Sequence, residues 1–380
     1  MRIFQNFHYD FLSKRKYAYI LSAFLFAIGL ISAITRGFHF GVDFTGGTEI
    51  VLQFEKPVDI TNVRDDLEGI GLGFLEVKTF GGETGVMVRS KEQEISSDIY
   101  PKVVASINDR IEKIIPGIPV QIADSSSISS VTYSFLSADT AKIIADGLSK
   151  AGFQVSSISD EQAKNQILVG IGISDWIKEN LRTKVSDNPF KILKEDKVGP
   201  KIGGELKRDA LLAILFSLIG ILIYLGFRFK FIFALGAVVA LFHDVLITIG
   251  LYAALYGIIP GLNLEIDLTI VGAFLTLIGY SVNDTVVVFD RVRENLKIHK
   301  TRSFFDIVNT SMSQTMSRTI LTGGATLLAL LVLLIFGGEV LRPFAFTMFF
   351  GIIIGTYSSI FVANSMVYEY VTKYNKKIEF

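Results

Sequence analysis

The sequence predicts a polytopic α-helical membrane protein of six spans, with an α+β domain inserted between the first and second. Three observations carry that prediction. Half of the 380 residues are hydrophobic and the mean hydropathy is +0.47. Apolar runs of 18 or more residues recur, and a bilayer-crossing helix needs about 20. The charge is also unevenly divided: the 37 basic and 37 acidic residues cancel over the whole chain, yet Phe38–Arg208 holds 20 basic and 25 acidic residues and the remainder 17 and 12. An acidic, mixed-pattern region thus sits inside a basic, apolar one.

The spans are Tyr17–Thr35, then Ala210–Phe227, Phe231–Tyr256, Ile266–Phe289, Thr319–Phe336 and Phe344–Tyr368 within residues 210–368. Lys14, Arg15 and Lys16 precede the first, but its apolar stretch is longer than a signal-peptide core, so it reads as an uncleaved helix. Orientation follows the basic residues. With residues 1–16 and the tail 369–380 in the cytoplasm, 15 of the 17 basic residues outside the insert face that side. Arg2, Arg228, Lys230, Arg291, Arg293, Lys373, Lys376 and Lys377 are among them, and only Arg36 and Arg342 fall outside. The insert, residues 38–208, is then extracytoplasmic.

Within the insert, Thr48–Phe54 alternates like a strand and Asn62–Ile70 reads as a helix with Thr61 as N-cap. Phe74–Phe80 and Gly85–Arg89 flank Gly81-Gly82 as a hairpin, Asp98–Ile114 is an amphipathic helix, and Pro119–Ala123 a strand. The order β-α-β-β-α-β then recurs through Val131–Leu136, Ala138–Ala151, Phe153–Ser157, Gln166–Gly170, Ser174–Val185 and Phe190–Lys194. This predicts one or two ferredoxin-like modules: tandem units 38–124 and 131–198 joined by Asp124–Ser130, or a single irregular α+β domain.

The composition excludes several chemistries. There is no cysteine, so thiol catalysis and disulfides are out. Neither a G-x-x-x-x-G-K-[ST] phosphate loop nor HExxH occurs, and only four histidines are present: His8, His39, His243 and His299. No catalytic constellation, cofactor, metal site or nucleic-acid partner is expected. Apolar β-rich modules suit an extended polypeptide better than chemistry.

Charges inside spans are functional candidates because they cost about 2.5–3.5 kcal/mol or more at mid-bilayer. Asp284 lies ~8 Å inside its span at ~1.5 Å per residue. Gly272, Thr276, Gly279 and Asn283 form a small and polar stripe beside it, which points Asp284 toward the bundle interior. Arg318 starts the fifth span from the same side and is its candidate counter-charge. Asp244 stands near mid-membrane with His243 adjacent, the two pointing ~100° apart. Proton exchange and simple helix packing are both open for these groups. Phe304, Phe305, Val308, Met312 and Met316 read as an interfacial amphipathic helix. Gly351 and Gly355 form a packing GxxxG. Asp43, Gly46 and Gly47 mark a coupling joint where the first span meets the insert.

Specific strings accumulate on this frame: FGVDFTGGTEI (Phe40–Ile50), VGPKIGGELKRDA (Val198–Ala210), ALFHDVLITIG (Ala240–Gly250), the run Asp267–Asn295 containing GYSVNDTVVVFDRVREN, SQTMSRTILTGGATLL (Ser313–Leu328) and FGG (Phe336–Gly338). Together they resemble the SecF family of bacterial protein-export accessory subunits. The resemblance implies half of an RND-like membrane fold in the bacterial cytoplasmic (inner) membrane. It implies SecD, with a further six spans, and SecYEG as partners, a translocating polypeptide as cargo, contact with membrane lipid, and the proton-motive force as energy source. It places a functional Asp and Arg at Asp284 and Arg318. The family's external domain is a single module, so the nearly doubled insert is a departure. A proton-driven exporter of small molecules or lipids and a passive scaffold are the alternatives.

Overall fold

The computed structural model describes residues 9–157 and 164–374, apart from 126 and 128. Arg2, His8, Lys376, Lys377 and part of the linker 124–130 lie outside the described residues. The chain forms two units, one of residues 1–41 and 205–380 and one of residues 42–204.

In chain order the first long helix is α1 (Arg15–Arg36), followed by a single turn, α2 (Val42–Thr45). The second unit runs β1 (Gly47–Phe54), α3 (Ile60–Glu68), β2 (Leu75–Thr79), β3 (Gly85–Ser90), α4 (Tyr100–Ile114) and β4 (Gln121–Asp124). It continues β5 (Ser130–Ser134), α5 (Ala138–Lys150), β6 (Val155–Ser157), β7 (Gln166–Gly170), α6 (Ile173–Lys184) and β8 (Phe190–Val198). The β-α-β-β-α-β order recurs as the alternation pattern predicts. The N-cap of α3 is Asp59, whose carboxylate accepts from Thr61 N, so Thr61 is the second helical residue and not the cap.

The pairing is not sequential. The two sheets have the orders β2-β3-β1-β8 and β4-β5-β7-β6. Each has the ferredoxin-like arrangement, but the last helix and strand are exchanged. α6 packs on α3 and β1, and α4 packs on α5. Residues 38–124 and 131–198 therefore do not each enclose a sheet. The reason is connection length. Five residues join β4 to β5, so the two lie side by side as antiparallel neighbours, Gln121 opposite Ser134. β8 instead pairs antiparallel with β1, from Phe190 opposite Phe54 to Val198 opposite Gly47. The two chain ends of this unit thereby leave it side by side. One continuous core underlies both sheets, with Ile50, Leu52, Ile107, Tyr133, Ile144 and Ile177 at its centre. Trp176 donates its indole N–H to the Ile70 carbonyl at 3.0 Å.

The other unit is helical: α1, α7 (Pro200–Arg228), α8 (Phe231–Leu255), α9 (Leu268–Ile298), α10 (Phe304–Phe336) and α11 (Gly338–Ser358). α11 passes through a π-helical turn, Ser359–Ala363, into α12 (Asn364–Lys373). Among the described residues, six helical segments are long and apolar enough to cross a membrane. α8, α9 and α11 are central, with 56%, 50% and 56% of their apolar windows buried, against 11% for α1 and α7. α1 lies on α8 at Gly29 and Gly250, where a Cβ on either would come within 2.9 Å of the opposing Cα.

The apolar stripe expected at the membrane interface is not separate from the bundle. It is the first part of α10, and Ile307, Val308, Met312 and Met316 are buried with Phe11, Leu12, Phe289 and Val292. A 33-residue helix continues through it, since no Gly or Pro interrupts Phe304–Thr322.

Candidate functional site in the membrane unit

Among the described residues, two buried carboxylates lie within the spanning helices of the helical unit, and each is met by a hydroxyl group. Asp244, 1% exposed on α8, accepts through Oδ2 from Ser281 Oγ of α9 at 2.7 Å and from Ser358 Oγ of α11 at 2.8 Å. Its Oδ1 stands 3.0 Å from Nδ1 of His243. The adjacent positions do look at different helices: His243 turns outward and its Nε2 lies 2.9 Å from Ser22 Oγ of α1. Gly355 makes room here, because a Cβ there would be 2.8 Å from Ser281 Oγ. Gly351 likewise faces Leu277. The GxxxG of α11 therefore packs on α9 of the same chain.

Asp284 is 5% exposed on α9, one turn beyond Ser281. It faces the Thr356 hydroxyl of α11 and interacts electrostatically with Arg318. No ion pair within 4 Å joins Asp284 to Arg318 among the described residues, and Arg318 is exposed on α10. The stripe Gly272, Thr276, Gly279 and Asn283 is exposed too, and nothing lies within 4 Å of a Cβ built on Gly272 or Gly279. It does not make close helix contacts within this chain. Asp284 is buried on the neighbouring face, toward α11.

Sequence reasoning missed the hydroxyls. Thr356, Tyr357 and Ser358 are consecutive on α11. They meet Asp284, Ser22 and Asp244 respectively, immediately before the π-helical turn. Their signal was a polar run in an apolar span. A π-turn also redirects side chains and is frequent at functional sites.

In the other unit, Gly46 and Gly47 have φ of 73° and 120°. A Cβ on Gly46 would stand 2.9 Å from Pro200 Cα, and one on Gly47 would overlap the Ser90 carbonyl. Gly203 packs against Phe44 and Gly46 in turn. The two glycine-bearing strings that enter and leave this unit thus pack on each other, with Asp43 half-buried in α2. Among the described residues no His/Asp/Glu group could hold a metal.

A bundle of six apolar helices with interior carboxylates, carrying a two-sheet α+β unit between the first and second, defines a multi-pass membrane protein of the RND-like class. The comparisons with known proteins give the family. Residues 177–373 match the C-terminal model of the protein export membrane proteins SecD/SecF, and residues 31–58 match the SecD/SecF GG motif. SecF translocase subunits of Rhodothermus marinus and Koribacter versatilis are each 38% identical over 97% of this chain, covering 95% and 93% of those proteins. The crystal structure of SecDF from Thermus thermophilus is 28% identical with a TM-score of 0.67. That alignment covers 98% of this chain and 39% of the SecDF chain. A super-membrane-facing form of SecDF matches with a TM-score of 0.55. The chain belongs to the SecF family of protein translocase subunits, accessory components of protein export.

Proposed function

We propose that this chain works with SecD to couple the proton-motive force to polypeptide movement through SecYEG, with Asp284 as a proton-exchanging group. The observation that carries this reading is Asp284 itself: a carboxylate 5% exposed inside an apolar helix, with a hydroxyl neighbour and an arginine that acts on it without closing an ion pair. An open acid–base pair can gain and lose a proton as the helices shift, whereas a closed one merely holds them together. Arg318 and the small stripe of α9 are both exposed, which suits packing against a partner's helices, and we assign that packing to SecD. The basic residues place both termini in the cytoplasm and the two-sheet unit outside, where it meets the emerging chain. Asp43, Gly46 and Gly47 then form the joint between the first span and that unit. The cavity of about 350 Å³ in the two-sheet unit has a mixed lining, Ile171 and Ile173 beside Thr48, Asp175, Glu195 and Lys197, and does not single out the small-molecule exporter reading.

The potential supplies about 2.3 kcal/mol per charge per 100 mV, so a single proton biases a two-state helix arrangement by roughly fifty-fold. Asp284→Asn should keep assembly with SecD and remove the proton-motive-force stimulation of export, measured in vesicles with and without an ionophore. Full stimulation in that variant would refute the role given to Asp284.

A further inference from the structure

Four polar contacts follow one another where α1, α8 and α11 meet. Asp244 Oδ1 is 3.0 Å from His243 Nδ1. His243 Nε2 is 2.9 Å from Ser22 Oγ. Ser22 Oγ is 2.9 Å from Tyr357 Oη. Tyr357 Oη is 2.5 Å from the Ala18 carbonyl oxygen. Each hydrogen bond needs one hydrogen between its two heavy atoms, and the donor inventory of the chain can be counted.

The count runs from the far end. The Ala18 carbonyl has no hydrogen to give, so the Tyr357 hydroxyl hydrogen lies on that contact. Tyr357 has no second hydrogen, so the Ser22 hydroxyl fills the third contact. Ser22 then accepts from His243, which puts a hydrogen on Nε2. The contact between Nδ1 and Asp244 still needs one. A neutral imidazole, a serine and a tyrosine hold three hydrogens, and four contacts are made. The Ser281 hydroxyl donates to Asp244 Oδ2, and the Ser358 hydroxyl shares its hydrogen between Oδ2 and the Gly355 carbonyl in a three-centre bond, so neither supplies a hydrogen to the four contacts.

We propose that Asp244 and His243 form a proton-binding site separate from Asp284, that the arrangement described here is its proton-loaded state, and that loss of the proton opens the chain between Ser22 of α1 and Tyr357 of α11. The stored proton lies between Oδ1 and Nδ1, as a neutral carboxyl with a neutral ring or as a carboxylate with an imidazolium; the tally is the same for both. When it leaves to water, the ring hydrogen is drawn to Nδ1 beside the carboxylate. Nε2 then accepts from Ser22, and the Ser22 and Tyr357 oxygens are left facing each other with no hydrogen between them. That contact must break, and the Tyr357–Ala18 hydrogen bond is left as the one polar tie of this chain of contacts between α1 and α11.

The groups around the pair are those named. α9 brings Ser281, with Asp284 one turn further and turned to Thr356. α11 brings Tyr357 and Ser358, and α1 brings Ser22. Among the described residues no Lys, Arg or Glu forms a hydrogen bond or ion pair with Asp244 or His243. The pair is therefore the only stop for a proton on this chain of contacts. Its use in transport rests on the function proposed above; the bound proton does not.

The test reads the His243 ring by nitrogen NMR in the full chain, labelled on histidine and held in lipid nanodiscs at neutral pH, the signal assigned by its loss in His243→Gln. The expected result is a protonated Nε2, with either a protonated Nδ1 or a carboxyl infrared band that vanishes in Asp244→Asn. Tyr357→Phe removes the last donor, so two contacts and two hydrogens suffice and the ring should become neutral with a bare Nε2. Asp244→Asn supplies an amide N–H to Nδ1 and should keep Nε2 protonated at every pH, while the wild-type ring loses that proton as pH rises. A bare Nε2 in the wild type, or a ring unmoved by Tyr357→Phe, overturns the proposal. A ring altered by Asp284→Asn overturns the separateness of the two sites. The readout is ring protonation, not export, so failure here and failure of the Asp284 role are told apart.

Discussion

The two units handle charge in opposite ways. In the two-sheet unit, buried charges are closed into ion pairs: Arg89 meets Glu49 at 2.5 Å, Arg110 meets Glu179 at 2.7 Å and Lys178 meets Asp175 at 2.7 Å. In the helical unit, Asp244 and Asp284 are buried against hydroxyls and a histidine, and neither is closed on a lysine or arginine among the described residues. A closed pair resists both separation and titration, whereas a carboxylate ringed by neutral donors can gain or lose a proton with its neighbours in place. The difference teaches that the insert fixes its buried charges with partners of opposite sign, whereas the function proposed for the bundle rests on carboxylates that close on no lysine or arginine among the described residues.

That contrast can be broken at several points. The largest expected effect is in the shared core of the insert. Ile177→Ala should cost about 2–5 kcal/mol, because Ile177 is fully buried. Since α6 serves the sheet containing β1–β3, faster hydrogen exchange should appear there before it appears in β5. Equal loss in both sheets would show that the exchanged halves melt as one. Next, Gly250→Val would drive a Cβ into the Gly29 backbone and should cost about 1–3 kcal/mol of thermal stability in micelles. Gly220→Ala, with nothing within 4 Å, should leave the melting temperature unchanged or slightly higher.

A pH effect comes third. Burial raises the Asp175 carboxyl above its ordinary 3.8, against the opposing pull of Lys178. Above 3.8 the unfolded chain ionises this group before the folded chain does. Stability of the insert therefore falls as pH rises from 3.8 through the higher folded value, and stays lower beyond it. Asp175→Asn should flatten that slope. Trp176 is the only tryptophan and lies in the insert, so its fluorescence in urea follows this unit alone. The smallest effect is expected from Lys113→Ala, which removes an exposed i,i+4 pair with Asp109 and should cost roughly 0.5 kcal/mol or less by the same measurement.

Much of this was legible before folding. The apolar runs and basic flanks mark the six spans because a bilayer imposes length and composition on any helix that crosses it. The β-α-β-β-α-β recurrence was readable because periods of 2 and 3.6 differ within a few residues. Asp284 and Asp244 stood out because an ionisable residue in an apolar run needs a reason to be there. The partners did not stand out. Ser22, Ser281, Tyr357 and Ser358 are ordinary in composition and come from three distant segments, and only helix packing brings them to His243 and Asp244. The neighbour of the α9 stripe was out of reach for the same reason: spacing shows that a face is smooth, not which helix covers it.

By itself, then, the sequence determined the elements and the depth of each charge, since both depend on neighbours a few residues away. The tertiary structure alone decided the exchange of α4–β4 with α6–β8, because a short link between β4 and β5 leaves the position beside β1 to a strand over a hundred residues later. It alone also joined His243 to Ser22 and Tyr357. Hydrogen bonds reach only about 3 Å, and no spacing rule brings four helices that close.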